Sequence, residues 1–100
     1  MKLSDIAQVV RSKNAGPRRL TLDIMLATDA DYHRVTQSPA LTAENIARLY
    51  RVPPEQVTLI PYPVGRAIKI VMPRTIMAGD PGDYDVYGAQ QHAPLLGIEI

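Results

Sequence analysis

Residues 19–27, Arg19-Leu-Thr-Leu-Asp-Ile-Met-Leu-Ala27, decide the fold of this chain of 100 residues. Apolar side chains occupy every second position from Leu20 to Leu26, and the positions between them carry Thr21, Asp23 and Met25. A period of two over nine residues is typical of a β-strand with one buried face. The stretch therefore predicts a strand whose aliphatic side joins a core.

Two helices are predicted after this strand. Thr28, with Asp31 three residues later, has the pattern of a helix N-cap, and Ser38-Pro39 ends that short helix. A second helix is predicted from Thr42 and is closed by Pro53-Pro54. Helical spacing of the apolar residues in the second segment indicates that one side of it is buried.

Further strands are predicted at residues 57–62 and 66–72, and at least one of them is an edge strand because Pro61 cannot donate to a ladder. Residues 97–100 are predicted to add a final strand to the sheet. For the first sixteen residues two alternatives stay open, a helix lined by Ile6, Val9 and Val10 or an edge strand.

This order of elements predicts one α+β domain over residues 1–100. We expect a ferredoxin-like two-layer sandwich with a split β-α-β arrangement, in which three to four mostly antiparallel strands carry two helices on one face.

The composition limits the classes of function. A net charge of +1 with no Phe and no Trp disfavours nucleic-acid binding. The absence of Cys excludes disulfides and thiolate metal sites, and no apolar run is long enough to span a membrane or to form a signal peptide. We expect a cytoplasmic protein without cofactor or metal.

The segment Arg11-Ser12-Lys13-Asn14 before Gly16 is the first candidate binding site. It combines cationic and amide donors with a hydroxyl group, and a turn here would present backbone N–H groups to an anion. The alternative is a solvated turn in which Asn14 and Gly16 supply positive φ angles.

The second candidate is the segment around His92. Its imidazole has the intrinsic pKa of a general acid or base, and Asp85 is a candidate to orient it. Alternatively, Gln91 and His92 contact a ligand or a partner, or they bond backbone groups and hold the C-terminal segment in place. No spacing of His or paired carboxylates indicates a metal site.

Three further residues are candidates for an interface. Tyr84 and Tyr87 are large and rigid with a polar tip, and Met25 lies on the non-aliphatic side of the first strand. Core packing is the alternative for the two tyrosines. Asp23 on the same side needs a cationic partner such as Lys69 if that face is covered.

Two parts of the chain carry a resemblance to known proteins. Residues 3–16, Leu-Ser-Asp-Ile-Ala-Gln-Val-Val-Arg-Ser-Lys-Asn-Ala-Gly, resemble the opening of the small ferredoxin-fold domain at the C-terminus of AtuA-like acyclic terpene utilisation proteins. Leu41-Thr-Ala-Glu-Asn-Ile-Ala resembles the second helix of that domain, and the C-terminal Leu95-Leu96 and Glu99-Ile100 resemble its end. Lys13-Asn14 departs from the acidic and basic pair with an extra glycine that is usual there.

A closer resemblance joins Arg11-Ser-Lys-Asn-Ala-Gly-Pro17 and Tyr87-Gly-Ala-Gln-Gln-His-Ala-Pro-Leu-Leu96 to an uncharacterised family of small stand-alone proteins. Such proteins are often encoded beside an AtuA-like large protein. The resemblance implies a small accessory subunit or interaction module that associates with that large protein or with itself as a homo-oligomer.

The competing hypothesis is a component of an enzyme that acts on a small carboxylate or acyl compound. In that hypothesis Arg11, Lys13 and Asn14 bind the anion, and His92 with Asp85 moves a proton. It requires His92 to lie close to a pocket that contains Lys13.

Overall fold

A four-stranded antiparallel sheet organises the chain in this computed structural model, which describes residues 1–16, 18–73 and 92–100. The spatial order of the strands is β1-β2-β4-β3, where the strands are β1 (Val9–Asn14), β2 (Arg19–Met25), β3 (Thr58–Tyr62) and β4 (Ala67–Pro73). Each neighbouring pair is antiparallel.

Four helices and one 3-10 turn accompany the sheet in these described ranges. They are α1 (Leu3–Ile6), α2 (Asp29–Thr36), α3 (Ala43–Tyr50), the 3-10 turn Pro54–Gln56 and α4 (Ala93–Leu96). None of these helices is long and apolar enough to cross a membrane.

The connections confirm the predicted split β-α-β arrangement. Strands β2 and β3 run in the same direction, since each is antiparallel to β4, which lies between them. Helices α2 and α3 join β2 to β3, and β1 is added by a hairpin on the outer side of β2. The α+β prediction is confirmed, and the sheet is compatible with a ferredoxin-like sandwich.

One face of the sheet, the first face, packs against the helices and forms the core. The register places Leu22 opposite Ile70 and Ile24 opposite Ile68, and all four side chains are almost fully buried. They join one cluster with Tyr32, Val35, Ile46 and Ala47 of the helices and with Leu3 and Leu95 near the chain ends. Burial of each large aliphatic side chain contributes about 1.5–3 kcal/mol to the free energy of folding.

The helix starts follow the predicted capping. The Thr28 hydroxyl accepts a hydrogen bond from the Asp31 amide at 3.1 Å, and the Thr42 hydroxyl accepts one from the Asn45 amide at 3.2 Å. Helix α3 ends at Tyr50, because the following residue, Arg51, adopts a left-handed conformation with φ 59°. Each cap satisfies an amide that the first helical turn leaves without a partner.

The edge-strand alternative is confirmed for the N-terminal segment, because Val9–Asn14 form strand β1. The predicted helix lined by Ile6, Val9 and Val10 is wrong, since the short helix α1 before the strand spans only Leu3–Ile6. The turn expected from Arg11 to Gly16 is wrong in its extent, because the ladder to β2 continues through Asn14 and leaves only the end of the hairpin for the turn. Gly16 has φ 86° there, a conformation that glycine adopts without a steric penalty.

The predicted final strand at residues 97–100 is wrong. This segment makes a single isolated bridge, between Lys2 and Glu99, and it joins no strand of the sheet. Its backbone pairs with the chain start instead, where the Leu3 amide donates to the Ile98 carbonyl and the Ile100 amide donates to the Met1 carbonyl, both at 2.8 Å. The two chain ends therefore meet beside α1.

Leu95 is expected to anchor the C-terminal segment, since its side chain is fully buried in the core cluster. Replacing Leu95 by Ala should lower the free energy of unfolding by about 2–5 kcal/mol, because the truncation leaves a cavity. Urea unfolding followed by circular dichroism measures this loss. The fully exposed Val64 provides the control, and an equal effect of Leu95→Ala and Val64→Ala would contradict the packing described.

Candidate functional site

The second face of the sheet, opposite the helix layer, carries side chains in three rows that cross all four strands. The register aligns Val9, Met25, Ala67 and Tyr62 in an apolar row. The next row holds Arg11, Asp23, Lys69 and Ile60, and the third holds Lys13, Thr21, Val71 and Thr58.

The apolar row is open to solvent at its two ends. Val9 on edge strand β1 is 40% exposed and Tyr62 on edge strand β3 is 47% exposed, while Met25 and Ala67 between them are half-buried. Lys69 from the next row places its ammonium 5.8 Å from the centre of the Tyr62 ring, within range of a cation–π contact. An apolar strip is thus bordered by fixed positive charge.

Asp23 carries a carboxylate in the middle of this face. It is only 6% exposed, and Thr21 on the same face of β2 is 3% exposed, so the centre of this face has little access to water. Its Oδ2 accepts a hydrogen bond from the Nε of Arg11 at 3.1 Å. The predicted need of a covered Asp23 for a cationic partner is met by Arg11 and not by Lys69, which is its register neighbour on β4.

The pair depends on the hairpin between β1 and β2. That register sets Arg11 directly opposite Asp23. Predicting the partner required the exact length of the hairpin turn, which the composition of the segment does not give. A buried carboxylate needs such a partner, because an unpaired charge away from water is costly.

The predicted anion-binding residues are divided between the two faces of the sheet. Because side chains alternate along a strand, Arg11 and Lys13 lie on the second face while Ser12 and Asn14 lie on the first. Ser12 is buried and Asn14 is half-buried, and neither is without a partner. Both cations are exposed on the second face, and Arg11 is paired with Asp23.

His92 lies in the helix layer, on the other side of the sheet from Lys13. It precedes α4, its carbonyl accepts a hydrogen bond from the Leu95 amide at 2.9 Å, and α4 contacts α1 and α3. The imidazole Nδ1 is buried and has no hydrogen-bond partner within the described part of the chain. The enzyme-component hypothesis requires His92 to lie close to Lys13, and the structure places the two residues on opposite sides of the sheet.

Several predicted residues lie outside the described residues: Tyr84, Tyr87, Asp85 and Gln91. Their assigned interface, orienting and ligand roles stay predictions. Within the described ranges, no group of three His, Asp or Glu side chains could hold a metal ion.

Tyr50 makes a polar contact that the sequence does not predict. Burial raises the pKa of its phenol well above the usual value near 10, and a backbone hydrogen bond with Leu95 acts in the opposite direction. The contact links the end of α3 to α4. A tyrosine at helical spacing indicates a core residue. Nothing in the local sequence indicates that its hydroxyl group bonds with the backbone of Leu95.

Two clefts occur on the described surface away from the apolar row. The first, about 460 Å³, lies beside the hairpin end and the 3-10 turn and is lined by Arg18, Arg19, Glu55, Gln56, Thr58, Val71, Met72 and Pro73. The second, about 450 Å³, is lined by Ala40, Asn45, Arg48, Leu49, Arg51 and Ile98. Neither of these two clefts contains Lys13 or His92.

Comparison with known proteins assigns the chain to a family. Residues 3–99 match the family described as Domain of unknown function (DUF4387), and the chain belongs to that family. No curated protein and no solved structure matches it. The prediction of an uncharacterised family is confirmed, and the match makes no statement about AtuA-like proteins.

Arg11→Gln should destabilise the fold by about 1–2 kcal/mol, because it leaves the buried Asp23 carboxylate without its charged partner. The expected loss is well below that of a fully buried pair, since the Arg11 side chain is 54% exposed. Urea unfolding measures it, and Arg18→Gln at an exposed position with no ion pair in the described ranges is the control. Adding Asp23→Asn to Arg11→Gln should recover part of the loss, and no recovery would contradict the pairing.

Tyr50 predicts a specific loss of stability at alkaline pH. The folded-state pKa lies above the unfolded value of about 10, so ionisation favours unfolding. The stabilising contribution is complete below about pH 10 and is lost as the pH rises further. Urea midpoints between pH 8 and 11.5 should fall less steeply for Tyr50→Phe than for the unmodified chain, whereas Tyr62→Phe at an exposed position should leave the slope unchanged. Identical slopes for Tyr50→Phe and the unmodified chain would refute this role.

Proposed function

We propose that this protein is a small accessory subunit, an interaction module whose second sheet face binds a larger protein. The apolar row carries the proposal, since Val9, Met25, Ala67 and Tyr62 offer a continuous strip across all four strands. Tyr and Met are enriched at protein interfaces relative to other surfaces.

The charge on this face favours a partner of a different kind over a second copy of the chain. Arg11, Lys13, Arg19 and Lys69 all lie on the second face, and the Asp23 carboxylate there is neutralised by Arg11. Two copies stacked through the same face would bring like charges together, whereas an acidic surface would complement them. The partner is therefore expected to present carboxylates around an apolar centre.

An AtuA-like large protein is the proposed partner. The resemblance of residues 3–16 and of the Leu95–Ile100 end to the C-terminal domain of such proteins supports this identification. In that arrangement the chain is the separately encoded equivalent of the domain. The homo-oligomer is the alternative.

Co-expression with an AtuA-like large protein from the same organism, followed by native mass measurement and calorimetric titration, tests the proposal. We expect a stoichiometric complex. The double variant Val9→Thr/Tyr62→Thr should weaken it by at least about tenfold, since it removes exposed apolar contacts while keeping residues that favour strands.

Val64→Thr is the matched control, because Val64 is exposed in the turn between β3 and β4 and belongs to none of the three rows. It should leave the affinity unchanged. Equal weakening by Val64→Thr would contradict the proposed surface. A chain that forms a dimer alone, broken by Val9→Thr/Tyr62→Thr, would favour the homo-oligomer over the AtuA-like partner.

A further inference from the structure

The first cleft, beside the end of the β1–β2 hairpin, has the dimensions of a small-molecule site. Its volume of about 460 Å³ falls within the range of roughly 300–1,000 Å³ that is usual for ligand pockets. Arg18 and Arg19 come from the hairpin, Gln56 from the 3-10 turn and Thr58 from the start of β3. Three separate parts of the chain thus converge on one space.

Two positively charged side chains line this cleft. Arg18 and Arg19 are both exposed, and neither is in an ion pair within the described part of the chain. A guanidinium presents a planar set of N–H donors that matches a carboxylate bidentately. Two such groups at a concave site with no described acidic partner are suited to an anionic group.

The other residues that line the cleft determine which chemical groups a ligand can carry besides its carboxylate. Val71 and Pro73, at the end of β4, supply an apolar surface, while the Met72 side chain between them is buried in the core. Glu55 also lines the cleft and adds one negative charge to the two positive ones. A ligand with a second carboxylate would be repelled by Glu55, whereas an aliphatic chain would bury apolar area against Val71 and Pro73.

We propose that this cleft binds a small monocarboxylate with a short aliphatic chain, its carboxylate held by Arg18 and Arg19 and its chain lying on Val71 and Pro73. This site is distinct from the predicted anion site at Arg11 to Asn14. It shares Arg19, Thr58 and Val71 with the end of the second face, away from the apolar row that carries the proposed interaction surface. Gln56 and Thr58 add polar donors beside the carboxylate.

NMR titration of the full chain with hexanoate tests the proposal, with amide and methyl shifts as the readout. Saturable shifts are expected at Arg19, Thr58 and Val71. Hexanamide, which has the same chain without the charge, should bind at least about tenfold more weakly. Acetate should also bind at least about tenfold more weakly, because it lacks the methylene groups that contact the apolar lining.

Variants distinguish binding in this cleft from non-specific attraction of anions to the positively charged surface. Arg18→Gln/Arg19→Gln should weaken hexanoate binding by at least about tenfold, while Arg34→Gln, an exposed arginine on α2, should have no effect. Glu55→Gln should strengthen binding, since it removes a repulsive charge, and this outcome cannot arise from misfolding.

Absence of saturable shifts would overturn the proposal. So would equal binding of hexanamide, equal weakening by Arg34→Gln, or weaker binding by the folded Glu55→Gln variant.

Discussion

The antiparallel pairing of β2 with β4 is the constraint on which the rest of the structure depends. It places Leu22 against Ile70 on the core face and Asp23 against Lys69 on the other. A slip of one residue would exchange the two faces of a strand and drive Asp23 into the aliphatic cluster. The cost of burying that charge among Leu and Ile side chains fixes the register more firmly than the hydrophobic contacts alone would.

Because the pairing of β2 with β4 buries Asp23 in a central strand, β1 is needed to supply a cationic partner for it. A carboxylate in a central strand has neighbours on both sides and little access to water, and the hairpin brings Arg11 directly opposite it. Such a pair contributes little net stability, because desolvation offsets the attraction. Its effect is on specificity, since an alternative hairpin register would leave Asp23 without Arg11.

The sequence predicted the elements better than their partners. Strict alternation in β2 and the Thr caps of α2 and α3 are local signals, so β2 and both helix starts could be identified from composition and spacing alone. The end of β1 could not, because its polar Ser12 and Asn14 resemble turn residues and only pairing with β2 makes them a strand. The strand predicted at residues 97–100 is wrong for a related reason. The hydrogen-bond partners of this segment, Met1 and Leu3, are at the far end of the chain.

The candidate sites show the same division. The residue types of an anion site were visible in Arg11 to Asn14, but strand alternation divides them between two faces. The cleft at Arg18 and Arg19 is formed by residues that are distant in sequence, including Gln56 and Met72, and no local motif marks it. Sequence spacing therefore did not reveal the cleft, because its residues come from several elements.

The proposed interaction surface rests on a sheet with one face in the core and the edge strands of the other face in contact with solvent, and solvent paramagnetic relaxation measures this directly. With a soluble gadolinium chelate, the methyl groups of Val9 and Ile60 on the second face should relax much faster than those of Ile24 and Ile70, which are fully buried in the core. Equal protection of both sets in the free chain would mean that the second face is covered, and it would contradict its assignment as a binding surface.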